Sequence, residues 1–102
     1  MNAAQLIKEQ NAKIIDVRTP GEFMGGNVAG SINIPLNDIA FKLDEIRAME
    51  PVVLCCASGM RSSQAHRFLE QQGIKCTNGG SWLDVNYIVN NRSYTICTCL
   101  TH

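Results

Sequence analysis

The sequence lacks the long apolar runs and the excess of one charge that mark several classes of protein. No apolar run approaches about 20 residues, the length that a helix needs to cross a bilayer. Nine basic side chains balance nine acidic ones, which argues against a nucleic-acid or membrane-surface partner, since both favour a basic excess. Residues 1–10 lack the basic start and apolar block of a signal peptide. We therefore expect a cytoplasmic protein that binds neither nucleic acid nor membrane.

The five cysteines form an odd set, whereas a disulfide framework requires an even one. Cys55 and Cys76 lie within apolar runs, as small buried side chains do. This usage indicates a reducing compartment with at least one thiol kept for chemistry. No histidines and cysteines have the spacing of zinc ligands, so we expect no metal site.

With 102 residues, of which 45% are apolar and 18% charged, the chain has the size and composition of one globular domain. Apolar, β-rich runs predict strands at 13–17, 31–34, 51–55 and 73–77. Helical patterns between them predict helices at 3–10, from residue 19, over 36–46, over 62–72 and from residue 82. Thr19 and Glu22 have the spacing of a capping box at the start of the second helix. Strands that alternate with helices predict an α/β fold with a parallel sheet, whose ligands bind where the strands end.

The last residues break this pattern, so we assign 1–89 to the domain and 90–102 to a C-terminal tail. Tyr94, Ile96, Thr98 and Leu100 alternate weakly, which indicates either an edge strand or an ordered appendage. Within the tail, Cys97-Thr98-Cys99 is unusual. Either the two thiols are incidental, or one of them acts as a relay that receives sulfur from Cys56 or forms a disulfide with it.

The most informative segment follows the strand at 51–55. The strand ends at Cys55, a six-residue turn runs from Cys56 to Arg61, and a helix then begins. Backbone N–H groups of such a turn, together with a helix N-terminus, form a cradle for an anion. Gly59 permits a backbone conformation that a side chain would forbid, and Arg61 adds a fixed positive charge. This environment predicts a lowered pKa for the Cys56 thiol and hence a nucleophilic thiolate.

Taken together, these segments resemble the single-domain rhodaneses. The matching elements cover residues 3 to 89 in the family's order and spacing, and they are Ile15-Asp16-Val17-Arg18 with Glu22-Phe23, Gly30-Ser31-Ile32-Asn33-Ile34-Pro35, Cys56-x-x-Gly59-x-Arg61-Ser62, Gly79-Gly80 and Trp82. The resemblance implies a rhodanese-like α/β domain with a mostly parallel, five-stranded sheet flanked by helices on both faces. It also implies that Cys56 forms a persulfide.

The function that this resemblance implies is sulfur transfer without a metal or organic cofactor. A small anionic donor such as thiosulfate would load Cys56, and a thiophilic acceptor would unload it: cyanide, glutathione or the thiol of a small redox protein. The residues expected to bind substrate are Ala57, Ser58, Gly59, Met60, Arg61 and Ser62, with Cys56 and Arg61 catalytic.

Two other functions stay open. One is a sulfur-carrier or protein-interaction module that does not turn over. The other is a phosphatase or arsenate reductase, which is less favoured because four residues separate Cys56 from Arg61, whereas the related cell-cycle phosphatases have one more. Among the neighbouring residues, Ser58 and Ser62 are expected mainly to satisfy backbone groups, and Asp16 and Arg18 are interpreted as scaffold.

Overall fold

The computed structural model describes the backbone of residues 2–101 and the side chains of residues 2–91. Its elements follow in the order α1 (Ala3–Gln10), β1 (Lys13–Asp16), α2 (Pro20–Met24), β2 (Ile32–Asn33), a 3-10 helix (Leu36–Phe41), α3 (Leu43–Ala48), β3 (Val52–Cys56), α4 (Met60–Gln71), β4 (Cys76–Ser81) and α5 (Trp82–Thr101). Strands and helices alternate along the chain, as the sequence predicts.

The sheet is parallel throughout and has the order β2-β1-β3-β4. The expected five-stranded sheet is therefore wrong for residues 2–101, which form four strands. These four correspond to the four β-rich runs of the sequence; the fifth followed only from the family resemblance. Since Asn2 already caps α1 through its side chain, the described chain holds no strand before that helix.

Apolar side chains cover both faces of this sheet. On one face, β3 packs with the 3-10 helix, α3 and α4 around a core that includes Leu54, Cys56 and Leu69. On the other, α1 and α5 enclose a second core that includes Val53 and Cys55. Because side chains alternate along a strand, Cys55 and Cys56 point into different layers. The predicted arrangement of helices on both faces is confirmed, and so is the burial of Cys55 in the core.

The bounds of three predicted elements need correction. The helix expected over 36–46 is divided at Lys42, whose N–H caps the 3-10 helix by donating to the Ile39 carbonyl at 3.1 Å. The fourth strand starts three residues later than predicted, because the N–H groups of Gly73 and Ile74 bond back to the end of α4. Tail residues 90–101 continue α5 rather than forming an edge strand. No glycine or proline interrupts the sequence after Trp82, so nothing stops the helix.

The end of β4 bends toward the loop that follows β3. Register along β3 pairs Leu54 with Asn78 but Cys56 with Ser81, so β4 contains one extra residue at this point. Gly80 has a positive φ of 88°, a conformation that glycine adopts without strain. This bulge brings the backbone of β4 against the loop that starts at Cys56.

Candidate active site

The segment from Cys56 to Arg61, here called the cysteine loop, joins the centre of the sheet to α4. Gly59 is the N-cap of α4 and has a positive φ of 96°. A β-carbon at this position would lie 3.3 Å from the Gly80 Cα, so both backbone conformation and close approach favour glycine. The helix begins at Met60, earlier than predicted, and Arg61 therefore lies in its first turn.

Hydrogen-bond donors surround the sulfur atom of Cys56. The backbone N–H of Gly59 donates to Sγ at 3.0 Å, and the N–H and hydroxyl of Ser62 both lie 3.4 Å from it. The sequence predicted such a ring of amides, and the geometry contains it. Ser62 is buried and contacts the sulfur directly, so its role exceeds the backbone satisfaction that we expected. Among the other predicted site residues, Ala57, Ser58 and Met60 are exposed on the outside of the loop.

These contacts favour the thiolate form of Cys56. Burial raises the pKa of its thiol, but hydrogen bonds from the Ser62 hydroxyl and from the backbone N–H groups of Ser62, Gly59 and Ser58 outweigh burial and lower the pKa below its ordinary value. Arg61, which we expected to contribute, is not among these principal causes. The cradle therefore acts on the sulfur through local dipoles.

In the other described cysteines the pKa of the thiol is raised rather than lowered. Burial and the nearby Asp16 raise the pKa of Cys55 to about 12, and burial with Glu70 and Glu50 raises that of Cys76 to about 11. Both are free thiols. At neutral pH they stay protonated, so Cys56 is the nucleophilic thiol among the cysteines with described side chains.

The sulfur is covered in this conformation. Cys56 is 0% exposed, although the loop residues around it reach the surface. A reagent must contact the sulfur to react with it, so the cysteine loop must shift before one can reach Cys56 from solvent. An open groove of about 540 Å³ lies beside the loop, lined among others by Ser58, Gly59, Arg67 and Asn78.

The guanidinium of Arg61 faces Glu22 of α2 across the edge of the site. Its Nη1 and Nη2 donate to Oε1 and Oε2 of Glu22 at 2.8 and 2.9 Å. Arg61 also lines a cavity of about 140 Å³ together with Thr19 and Asn37. Sequence analysis identified Glu22 as part of the capping box with Thr19, which is present. It missed the ion pair, because the partners are 39 residues apart.

Asn78 is a second site residue that the sequence analysis missed. Its Nδ2 donates to the carbonyl oxygen of Gly59 at 3.2 Å, and its Oδ1 accepts from the Ser62 hydroxyl at 2.7 Å and from the Gly80 N–H at 2.9 Å. One amide thus connects β4, the cysteine loop and α4. The available signal was an amide side chain directly after the predicted strand at 73–77 and immediately before Gly79-Gly80.

Asp16 and Arg18 form a buried ion pair that connects β1 to the neighbouring helices. The Arg18 Nη2 lies 2.8 Å from Oδ2 of Asp16, and the side chains are 5% and 0% exposed. Arg18 also donates to the carbonyl oxygens of Glu22 and Gly26 and lies over the Trp82 ring, 4.8 Å from its centroid. These contacts tie β1 to α2 and α5, which agrees with the scaffold interpretation.

Other predicted features lie away from the loop or outside the described side chains. The Cys97 and Cys99 side chains belong to the latter group, so the relay hypothesis stays a prediction. His66 lies on α4, 3.7 Å from the Glu70 carboxylate. Among residues with described side chains, no group of three or more histidines, cysteines or acids is placed to hold a metal ion. No helix in the described part of the chain is long and apolar enough to cross a membrane.

Comparisons with known proteins agree with this geometry. The family model of the rhodanese-like domain matches residues 2–84. YqhL, an uncharacterized protein of Bacillus subtilis, is 43% identical over 68 residues, which are 67% of this chain and 52% of YqhL. A sulfurtransferase of Allochromatium vinosum is 35% identical over 69 residues, 68% of this chain and 64% of that protein. The chain thus spans between half and two thirds of these relatives.

A solved structure extends the likeness to three dimensions. A rhodanese-related protein of Thermoplasma volcanium superposes with a TM-score of 0.71 at 32% identity, over 85% of this chain and 88% of that one. Residues 2–84, which the family model matches, contain the four-stranded sheet, the cysteine loop and most of the helices that flank them. The chain belongs to the rhodanese-like domain family.

Proposed function

We propose that this protein is a sulfurtransferase that carries sulfane sulfur as a persulfide on Cys56. The observation that carries the proposal is the sulfur atom at the end of β3, which accepts hydrogen bonds from Gly59 and Ser62 and has a lowered thiol pKa. The geometry matches the chemistry of a sulfur anion, because an N–H cradle stabilises negative charge without supplying a proton.

Two displacements make up the proposed reaction. The Cys56 thiolate attacks the outer sulfur of a donor such as thiosulfate; an S–S bond forms to Sγ, and the donor's own S–S bond breaks with its electron pair leaving on sulfite. A thiolate acceptor then attacks the outer sulfur of the persulfide and becomes a persulfide itself, which regenerates the Cys56 thiolate. Charge and sulfur balance in both steps. The loop amides face the sulfur anion that is present before and after each step.

The test is intact-mass analysis after incubation with thiosulfate. We expect the unmodified chain to gain one sulfur atom, which dithiothreitol removes, and we expect the Cys56→Ser variant to gain none. Cys76→Ser is the matched control, since Cys76 is a half-buried thiol outside the cysteine loop, and it should load like the unmodified chain. Sulfur on the Cys56→Ser variant at the level of the unmodified chain would contradict the proposal.

The covered sulfur favours a second candidate, a carrier that exchanges sulfur only with a docking protein. Because Cys56 is 0% exposed, small molecules depend on spontaneous opening of the loop, whereas a protein partner can stabilise the open form. Turnover assays separate the two functions. A carrier loads once and releases sulfur slowly to small thiols, whereas an enzyme turns over repeatedly with thiosulfate and glutathione. Phosphatase activity is disfavoured by the loop length, so we expect no hydrolysis of an aryl phosphate.

A further inference from the structure

The Arg61 guanidinium, which was expected to attract an anionic donor, already binds a carboxylate. Glu22 occupies one edge of its donor fork with two parallel hydrogen bonds of 2.8 and 2.9 Å. Such a bidentate pair is the geometry in which arginine binds an oxyanion most strongly. An oxyanion donor that used the same edge would therefore have to displace Glu22.

The Glu22 carboxylate is also fixed in position. The N–H and hydroxyl of Thr19 donate to its Oε1 at 3.0 and 3.1 Å, within the capping box of α2. Hydrogen bonds from Arg61 and from the Thr19 N–H lower the pKa of Glu22 to about 2. The carboxylate thus stays charged at neutral pH, and its negative charge is a permanent part of the rim of the site.

The other charged residues near the cysteine loop do not offset the negative charge of Glu22. The Arg18 charge is paired with Asp16 beneath the loop. Arg67, on the other side of the loop, is exposed to solvent, as is Asp84 beside Gly80. The sulfur cradle itself consists of N–H and O–H dipoles. It suits one negative charge on sulfur, but the charges named here, those of described side chains, leave no net positive charge for a dianion.

From these contacts we infer that Glu22 is a specificity-determining residue that disfavours dianionic sulfur donors relative to donors with one negative charge. This inference rests on the proposed function and concerns its donor class. Persulfides and organic thiosulfonates, whose reacting group carries a single charge, are then better donors than thiosulfate. In each case the Cys56 thiolate takes the sulfane sulfur, and the electron pair of the broken S–S bond leaves with the remainder: sulfite from thiosulfate, a sulfinate from a thiosulfonate and a thiolate from a persulfide.

The experiment compares thiosulfate with methanethiosulfonate, which breaks the same type of S–S bond but carries one charge fewer. Persulfide formation on Cys56 is followed by intact mass, and the second-order rate constants of the two donors are expressed as a ratio. In the Glu22→Gln variant, we expect thiosulfate to gain about threefold to tenfold relative to methanethiosulfonate, the range of a partly exposed charge interaction. Glutamine is also a capping-box residue, so the start of α2 is retained.

The matched control is Glu9→Gln, which removes the same charge from α1. This helix packs on the face of the sheet opposite to α4. Its ratio should equal that of the unmodified chain. A second measurement uses salt: added ions should raise the thiosulfate rate relative to methanethiosulfonate more in the unmodified chain than in Glu22→Gln, because only the unmodified chain has the Glu22 charge to screen.

Three results would overturn the inference. The first is an unchanged ratio in Glu22→Gln, with both rates falling together, which is the outcome of a purely structural role. The second is a salt response of the ratio that is equal in the unmodified chain and in Glu22→Gln. Loading of the unmodified chain by neither donor is the third, and it alone also overturns the proposed function, since in the other two cases Cys56 still gains its sulfur atom.

Discussion

Individual hydrogen-bond donors around Cys56 determine which fraction of its thiol is ionised at neutral pH. Burial raises the thiol pKa, and the Ser62 hydroxyl is the strongest of the hydrogen bonds that lower it. That hydroxyl has one proton and two acceptors, Sγ of Cys56 at 3.4 Å and Oδ1 of Asn78 at 2.7 Å. The amide oxygen also accepts from the Gly80 N–H. When the thiolate forms, the proton can therefore turn to the sulfur without leaving the amide oxygen unsatisfied.

The Ser62→Ala variant tests this balance. Removal of the hydroxyl should raise the pKa of the Cys56 thiol, so the pH profile of its alkylation by iodoacetamide should move to higher pH. Below that pKa we expect alkylation to slow by about threefold to tenfold, the effect of one hydrogen bond to a charged group. Ser63→Ala is the control, because its side chain lies in the same helix turn without a contact to the sulfur. Superimposable profiles for Ser62→Ala and the unmodified chain would refute the role.

Among the elements, the junction between β4 and the cysteine loop depends on one side chain. Replacing Asn78 by alanine removes a partner from the Gly59 carbonyl and from the Gly80 N–H, which are partly buried. We expect the free energy of unfolding to fall by about 1 kcal/mol, and Tm to fall by roughly 4–8 °C. Amide hydrogen exchange in residues 57–62 should accelerate, because the loop loses its tether to the sheet.

The control for this variant is Asn27→Ala. The Asn27 amide also donates to a backbone carbonyl, that of Phe23 at 2.8 Å, but it lies on the surface, where water replaces the bond. Its stability should stay within about 0.5 kcal/mol of the unmodified chain. Equal exchange rates over 57–62 in Asn78→Ala and the unmodified chain would contradict the tether.

Sequence patterns predicted the elements better than their ends and their contacts. The four strands, the alternation of layers and the capping box at Thr19 follow from local spacing, and the structure contains them. The start of β4 differs from the prediction because backbone hydrogen bonds of Gly73 and Ile74 hold this segment against the end of α4. The Glu22–Arg61 pair and the Asn78 network join residues far apart in sequence, and no local pattern carries that information. The cysteine loop was predictable because its strand, turn and helix are contiguous.

At the scale of the whole molecule, the contacts of one buried ion pair connect the sheet to helices α2 and α5. The parallel sheet brings the ends of β1 and β3 side by side, and the Asp16–Arg18 pair occupies this position beneath the cysteine loop. Arg18 extends from it to α2 through the Glu22 carbonyl and to α5 through the Trp82 ring. The ion pair is therefore expected to affect the stability of the domain as a whole rather than that of one element.

The Asp16→Ala variant measures this contribution. It leaves the Arg18 guanidinium, which is 4% exposed as a residue, without its carboxylate, and an unpaired buried charge typically costs about 3–5 kcal/mol. Urea unfolding should therefore show a large fall in midpoint with an unchanged slope. Glu45→Ala breaks an exposed ion pair, with Lys42 at 3.7 Å, and should cost less than about 0.5 kcal/mol. Similar losses in the two variants would mean that burial does not set the value of the Asp16–Arg18 pair. In that case the pair would not be what connects β1 to α2 and α5.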